Sequence, residues 1–184
     1  MKYEIEMARK QHIFYSIPQR TKADEPPVTA DEVIARRRSL RIVTDDLIQK
    51  ALLNGDIVLL LQSICETMTA VGGTCAHFGI EPDISDFLLA GKDLVEDSRV
   101  LLDRGIGVRE WDQVKVGAAM MQCICAGICA ILGLPYRDAL DLSHAAYMDA
   151  RKPTREEFVA LLKAHGFKLD EGEPANESDP DEAA

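Results

Sequence analysis

The sequence predicts an all-α fold, a single bundle of about six helices. Apolar residues recur at helical spacing through most of the 184 residues, and no stretch alternates as a half-buried strand would. Hydrophobic residues make up 47% of the chain, which is enough to fill one core but leaves little room for a second domain. Capping residues, prolines and glycines then predict the helices in chain order.

The first helix is predicted over residues 1–15 and ends before Pro18, because proline lacks an amide donor and cannot continue a helix. Residues 16–30 are rich in proline and polar residues and are expected to be a loop. The second helix begins after Thr29, with Glu32 three residues later as the partner in a capping box. Its apolar positions continue to about residue 53.

A third helix is predicted from Asp56, its N-cap, to Phe78, with Gly79 ending it in a left-handed conformation. An amphipathic helix over residues 83–104 is expected next. The sequence Gly105-Ile106-Gly107 is expected to form the turn that follows it.

Three more helices complete the bundle. They are predicted over residues 109–132, 136–151 and 154–166, and the last begins at Thr154. We therefore expect one domain over residues 1–169. Segments 56–104 and 109–151 resemble each other weakly, which a duplicated helical hairpin and two unrelated bundle hairpins explain equally well.

The net charge of −10 is concentrated at one end of the chain. Residues 170–184 hold seven acids and no base, so the rest of the protein is only mildly acidic. The segment is expected to be a flexible, disordered tail. Because a nucleic-acid groove needs clustered Lys and Arg to neutralise phosphates, we expect no nucleic-acid partner.

Five cysteines fall inside apolar helical stretches, and the first residues show no apolar run of the secretory type. Reduced thiols and a cytoplasmic location are therefore expected. The segment Val116–Leu134 has Gln122 as its one polar side chain and is just long enough to span a membrane. Its small residues and its lack of flanking aromatic or basic clusters favour a central bundle helix, so no membrane partner is expected.

The first half of the chain carries a set of motifs in a recognisable order. They are ARKQHIFYSIPQRTKADEPP, then ADEVIARRRSLRIVTDDLIQKALLNGD, then the apolar helix that ends in GGTCAHFGI. This series resembles the MazG-like all-α nucleoside triphosphate pyrophosphohydrolases, notably their short phage and bacterial members. The resemblance rests on the order of these motifs rather than on any single one.

The resemblance implies a homodimeric helical bundle in which carboxylates of two neighbouring helices hold Mg²⁺. The metal would clamp an NTP or dNTP while water attacks, giving a nucleoside monophosphate and pyrophosphate. Hard divalent cations with oxygen ligands suit this chemistry, because they neutralise the phosphate charge and activate water.

By resemblance, the family's acids correspond to a particular set of positions. The paired acids of the first helix fall on Asp45 and Asp46, its third acid falls on Gln49, and the second helix contributes Leu59, Gln62 and Glu66. The implied metal ligands are Asp45, Asp46 and Glu66, with Glu66 and Asp45 catalytic, and the implied substrate contacts are Arg38, Arg41, Gln49 and Gln62.

Three of these positions depart from the family pattern. Gln49 and Gln62 offer only a neutral oxygen, and Leu59 offers no ligand, so Mg²⁺ would be held less tightly. A second hypothesis is therefore a catalytically inactive bundle that binds a nucleotide or a protein partner. Glu66 could equally pair with Arg38 or Arg41.

Other patterns have simpler explanations. Asp45 and Asp46 also fit a helix N-terminus or a solvated helix face. The basic run at residues 36–38, with Arg41, could bind phosphate but could equally be a solvated face. The cysteine spacing lacks the pairs that a zinc site needs, and the four histidines are dispersed.

Overall fold

The computed structural model describes residues 1–23, 25–45, 47, 55–83 and 94–169. Seven helices lie within these ranges: α1 (Lys2–Phe14), α2 (Ala30–Asp45), α3 (Ile57–Phe78), α4 (Leu94–Val108), α5 (Trp111–Leu132), α6 (Tyr136–Met148) and α7 (Arg155–Ala164). The same ranges contain no strand, and one isolated bridge pairs Lys22 with Glu25. The all-α prediction is confirmed, whereas the predicted acidic tail lies outside the described residues.

The predicted starts of α2 and α3 and the predicted end of α3 are confirmed by their caps, whereas the predicted end of α2, near residue 53, lies outside the described residues. The Thr29 hydroxyl accepts from the Glu32 amide at 3.2 Å, and the Thr29 amide donates to Glu32 Oε2 at 2.7 Å. Asp56 accepts from the first amides of α3. Gly79 ends α3 at φ 71°, a conformation that only glycine adopts without strain.

Helix α3 is the centre of the bundle, because α1, α2, α5, α6 and α7 all pack against it. Its side chains Leu61, Ile64, Met68 and Phe78 have no solvent exposure. The prediction that Val116–Leu134 would be the central helix is wrong. That segment forms most of α5, which pairs chiefly with α4, and Ile131 near its end is 85% exposed.

The turn predicted at Gly105-Ile106-Gly107 is also wrong, because these residues continue α4. Ile106 is fully buried in the core, and a Cβ at Gly105 would lie 2.9 Å from Val114 Cγ2. The glycine is therefore required for close packing of α4 on α5, and Arg109, at φ 61°, makes the reversal instead.

Two helices, α3 and α5, are long and apolar enough to cross a membrane by length and composition. In α3 67% of the apolar window is buried inside the bundle, and in α5 44% is. A core helix passes the same test, and the position of α3 fits one. Gln122 of α5 donates to the buried carboxylate of Glu4 at 3.1 Å, which explains the polar residue in that helix.

Arg20 ties the loop between α1 and α2 to the bundle. Its side chain is 4% exposed, and its guanidinium donates to the carbonyls of Pro26 at 2.7 Å and His77 at 3.0 Å. It also donates to both carboxylate oxygens of Glu32, at 3.0 and 3.1 Å. The His77 ring donates from Nδ1 to the Pro18 carbonyl at 2.8 Å. This Arg20 clamp therefore fixes α2 relative to the end of α3.

All five cysteines are free thiols, as expected. Burial raises the pKa of Cys125 to about 12, so this thiol stays protonated and packs as a small apolar side chain.

Two glycines of α5 provide a matched test of the packing. A Cβ at Gly117 would lie 2.9 Å from backbone atoms of Leu102 and Ser98, whereas a Cβ at Gly127 meets nothing within 4 Å. We expect Gly117→Ala to lower the free energy of unfolding by about 1–3 kcal/mol through overpacking. Gly127→Ala should raise it by about 0.5–1 kcal/mol through helix propensity. Urea unfolding measures both changes, and equal effects would contradict the close approach of α4 and α5.

The Arg20 clamp predicts a pH-dependent stability. Burial alone would raise the pKa of Glu32, but hydrogen bonds from Thr29 and Arg20 hold it at about 2, below the ordinary 4.5. A depressed folded-state pKa stabilises the fold above pH 4.5, and this contribution is lost as the pH falls towards 2. Glu32→Gln should therefore cost about 1–3 kcal/mol at pH 7. The difference in free energy of unfolding between wild type and this variant should shrink towards pH 2. If urea unfolding shows a difference that does not change with pH, the carboxylate of Glu32 does not link stability to pH.

Candidate functional site

The α1–α2–α3 cleft is the candidate site. It has a volume of about 300 Å³ and is also bordered by the end of α6 and the residues that follow. Polar and charged side chains at its wall are Gln11, His12, Tyr15, Arg36, Ser39, Glu66, Thr69, Tyr147 and Lys152. A cavity of this size can hold a small organic ligand.

Helical spacing explains which residues face this cleft. Arg36, Ser39 and Val43 of α2 follow one another at three- and four-residue intervals, so they share one face. Glu66 and Gly73 of α3 share a face in the same way. Because α2 packs against α3, these two faces meet at the α1–α2–α3 cleft.

Arg36 carries the positive charge at the base of the cleft. Burial lowers its pKa, while the nearby charge of Glu32 acts in the opposite direction. Within the described ranges no carboxylate lies at salt-bridge distance from Arg36, and its side chain contacts His12, whose Nε2 lies 3.4 Å from Arg36 Nη2. A buried guanidinium without a bonded anion retains hydrogen-bond donors for a ligand.

His12 is the neutral partner of Arg36. The residue is 4% exposed, and burial first, then the charge of Arg36, lower its pKa to about 4, so the ring is uncharged at neutral pH. A guanidinium can only donate, so Nε2 of His12 must accept and Nδ1 must carry the proton. Nδ1 is buried without a hydrogen-bond partner among the described residues.

Glu66 is the one acid among the described residues that line the cleft. It is half-buried, and Gln62 Nε2 lies 3.4 Å from its Oε1. The structure thus brings together two predicted site residues, Glu66 and Gln62, and adds Arg36. The alternative that pairs Glu66 with Arg38 or Arg41 is not observed.

The outer wall of the cleft is aromatic and basic. The Tyr15 hydroxyl donates to the carbonyl of Tyr147, which joins the loop after α1 to the end of α6. Burial, followed by the charge of Glu66, raises the pKa of Tyr147 to about 12, so the phenol stays neutral. Lys152 is exposed at the rim and, with Arg36, gives the cleft two cations against one anion.

Asp45 and Arg41 lie in a different place, the α2–α4 cleft. Asp45 Oδ1 is held by Arg99 Nη1 at 2.5 Å, and both Asp45 and Arg41 are exposed. The reason is again spacing: residues 37, 41 and 45 recur every four positions and face α4, whereas residues 36, 39 and 43 face α3. Arg38 is exposed and lines neither cleft.

The described residues do not fit a magnesium site. Asp45 and Glu66 line separate clefts, and each has its own polar partner. No group of three or more His, Cys, Asp or Glu that could hold a metal occurs in the described part of the chain. Asp46 and Gln49, the other predicted ligand and contact, lie outside the described residues.

Sequence reasoning had assigned no site role to His12, Tyr15 or Lys152. Each comes from a different segment, and no local spacing links them to α2 or α3. Arg36 had a signal, its place in a basic run, but the run does not reveal which of its arginines faces inward. The apolar residues Val33 and Leu40 indicate the buried face of α2. Arg36 lies three residues after Val33 and four before Leu40, so it shares that face.

A scan against protein-family models, a search of curated proteins and a search of solved structures each found no match. The resemblance to MazG-like proteins, the bound Mg²⁺ and the homodimer therefore stay predictions.

The contact between Arg36 and His12 predicts a measurable coupling. Arg36→Gln removes the positive charge beside the ring, so the pKa of His12 should rise from about 4 towards 6.5. It should stay below 6.5, because burial is the larger cause. A ring ¹⁵N NMR titration follows this change. Lys168→Gln, which removes an exposed cation outside the cleft, should leave the pKa of His12 at about 4. An unchanged His12 in the Arg36 variant would contradict the contact.

Proposed function

We propose that the protein is a nucleotide-binding helical bundle that holds the phosphate groups of an NTP or dNTP in the α1–α2–α3 cleft. The observation that carries the proposal is the partly buried guanidinium of Arg36, which faces a cavity of about 300 Å³ and has no bonded carboxylate among the described residues. A ligand phosphate supplies the missing counter-charge. Guanidinium N–H groups match phosphate oxygens two at a time.

Several neighbours support the same ligand. His12 Nδ1 is a buried donor without a partner among the described residues, and Lys152 adds a second cation at the rim. Tyr15 and Tyr147 give the outer wall aromatic surface, which suits the face of a nucleobase. Binding of this kind uses the side chains of the cleft and requires no metal.

The Mg²⁺-dependent pyrophosphohydrolase implied by the resemblance is the second candidate function. The position of Glu66 in the α1–α2–α3 cleft favours it, because among the described residues this is the predicted acid that lies beside the proposed phosphate site. It would need further carboxylates from outside the described residues, Asp46 among them. The two candidates differ in what Glu66 does: it is a metal ligand in the hydrolase and a repulsive neighbour of phosphate in the binding protein.

Glu66→Gln therefore separates the two functions. For the binding protein, ATP affinity without Mg²⁺ should stay equal or increase up to about tenfold, since a like charge is removed. Arg36→Gln should weaken it about tenfold or more, because a charge-assisted hydrogen bond is lost. Isothermal titration calorimetry with each (d)NTP, with and without Mg²⁺, measures both changes.

Release of pyrophosphate is measured on the same samples. Turnover with Mg²⁺ or Mn²⁺ that Glu66→Gln abolishes would establish the hydrolase in place of the binding protein. Lys168→Gln is the control for loss of one positive charge. Equal ATP affinity in the Arg36 and Lys168 variants would refute the proposed site.

A further inference from the structure

The α2–α4 cleft is a second cavity of about 300 Å³, separate from the proposed nucleotide site. Three arginines line it, Arg41, Arg99 and Arg104, together with Val100 and two aspartates, Asp45 and Asp103. None of the residues that line the α1–α2–α3 cleft belongs to this set.

Asp103 is held by two guanidiniums at once. Arg37 donates to its two oxygens at 2.9 and 2.7 Å, and Arg41 donates to the same oxygens at 3.2 and 2.9 Å. The hydrogen bonds from Arg37 hold the pKa of Asp103 well below its usual range, so the carboxylate stays charged. One negative charge thus holds two positive charges side by side, which leaves an excess of one cation.

The remaining groups add to that excess. Arg99 pairs with Asp45 through Nη1, which makes this pair neutral. Arg104 is exposed, and within the described ranges it forms no ion pair. Together with Arg37, the described residues of the cluster provide four guanidiniums and two carboxylates, so two of these positive charges lack a counter-ion among the described residues.

Ion pairs and packing hold Arg37 and Arg41 in place before any ligand binds. A Cβ at Gly107 would lie 3.1 Å from Arg37 Nη1, so the glycine lets the guanidinium of Arg37 lie against α4. Asp103, which like Gly107 belongs to α4, accepts hydrogen bonds from Arg37. Arg41 lies one turn after Arg37 on α2 and donates to the same carboxylate. Ordered arginines lose less conformational entropy when an anion binds.

We propose that the α2–α4 cleft binds a phosphate group of a small free anion, with Arg41, Arg99 and Arg104 as its ligands and Asp45 as a counter-ion rather than a metal ligand. A phosphate dianion matches the two uncompensated charges, and its oxygens fit the guanidinium forks. Most N–H groups of these three arginines have no partner among the described residues.

The lining favours a small anion over a nucleotide. Among the described residues no aromatic side chain lines this cavity, so they offer a nucleobase no stacking surface there. Val100 is the one apolar residue in the described part of the lining, and it is 46% exposed. The phosphate could be inorganic or could belong to a small phosphate ester, because both present the same oxygens.

Arg104→Gln is the test variant, because its exposed side chain has no ion pair in the described structure and its loss should leave the fold intact. Circular dichroism checks this. Inorganic phosphate and, in a separate titration, glycerol 2-phosphate are the probes for calorimetry at low salt. We expect Arg104→Gln to weaken phosphate binding about tenfold, as loss of a charge-assisted hydrogen bond would. Salt should weaken binding of phosphate to the wild type.

Two further variants locate the signal. Because Arg36 can also bind phosphate, Arg104→Gln and the control Lys168→Gln are compared in the Arg36→Gln background as well, where Lys168→Gln should leave phosphate affinity unchanged. The proposal is overturned if the Arg36→Gln protein binds neither probe, or if adding Arg104→Gln to it leaves phosphate affinity unchanged. ATP binding in the α1–α2–α3 cleft is tested with Arg36→Gln, and phosphate binding in the α2–α4 cleft is tested with Arg104→Gln. One proposal can therefore be refuted while the other stands.

Discussion

The burial of α3 is the constraint on which the rest of the structure depends. Five helices pack around it, and its apolar side chains exclude water on most sides. A short face of α3, with Glu66 and Thr69 as its polar residues, opens to the α1–α2–α3 cleft. Because α1 and α2 must both contact α3, His12 and Arg36 are brought together beside Gly73, where a Cβ would lie 3.4 Å from Arg36 Nη1. The cleft chemistry is thus a consequence of core packing.

The two clefts arise from two faces of one helix. Successive residues of α2 are rotated by about 100°, so Arg36 points towards α3 while Arg37 points towards α4. The arginine facing α3 has a neutral histidine as its neighbour, and the arginine facing α4 has Asp103. This difference decides their roles: Arg37 is mainly structural, because its charge is matched, whereas Arg36 keeps donors for a ligand.

The sequence was informative where local chemistry decides the structure and uninformative where tertiary packing does. The caps at Thr29 and Asp56 were predictable, since a hydroxyl or carboxylate beside free amides has one favourable arrangement. Gly105 and Gly107 were read as a turn, because the sequence does not reveal that α5 and Arg37 approach α4 closely enough to require glycine. The same limit applies to Asp45 and Glu66, whose separation depends on how α2 is rotated against α3 and α4. Composition alone does not show whether α3 or α5 is more central, because burial depends on the number of neighbouring helices.

The most direct test of the central claim is a crystal structure with ATP and no added metal. If Arg36 is the phosphate ligand, electron density for at least one phosphate group will lie within hydrogen-bond distance of its guanidinium, with His12 Nδ1 or Lys152 near it. Phosphate density only elsewhere, or only after a metal is bound between Glu66 and another acid, would contradict metal-free binding by Arg36.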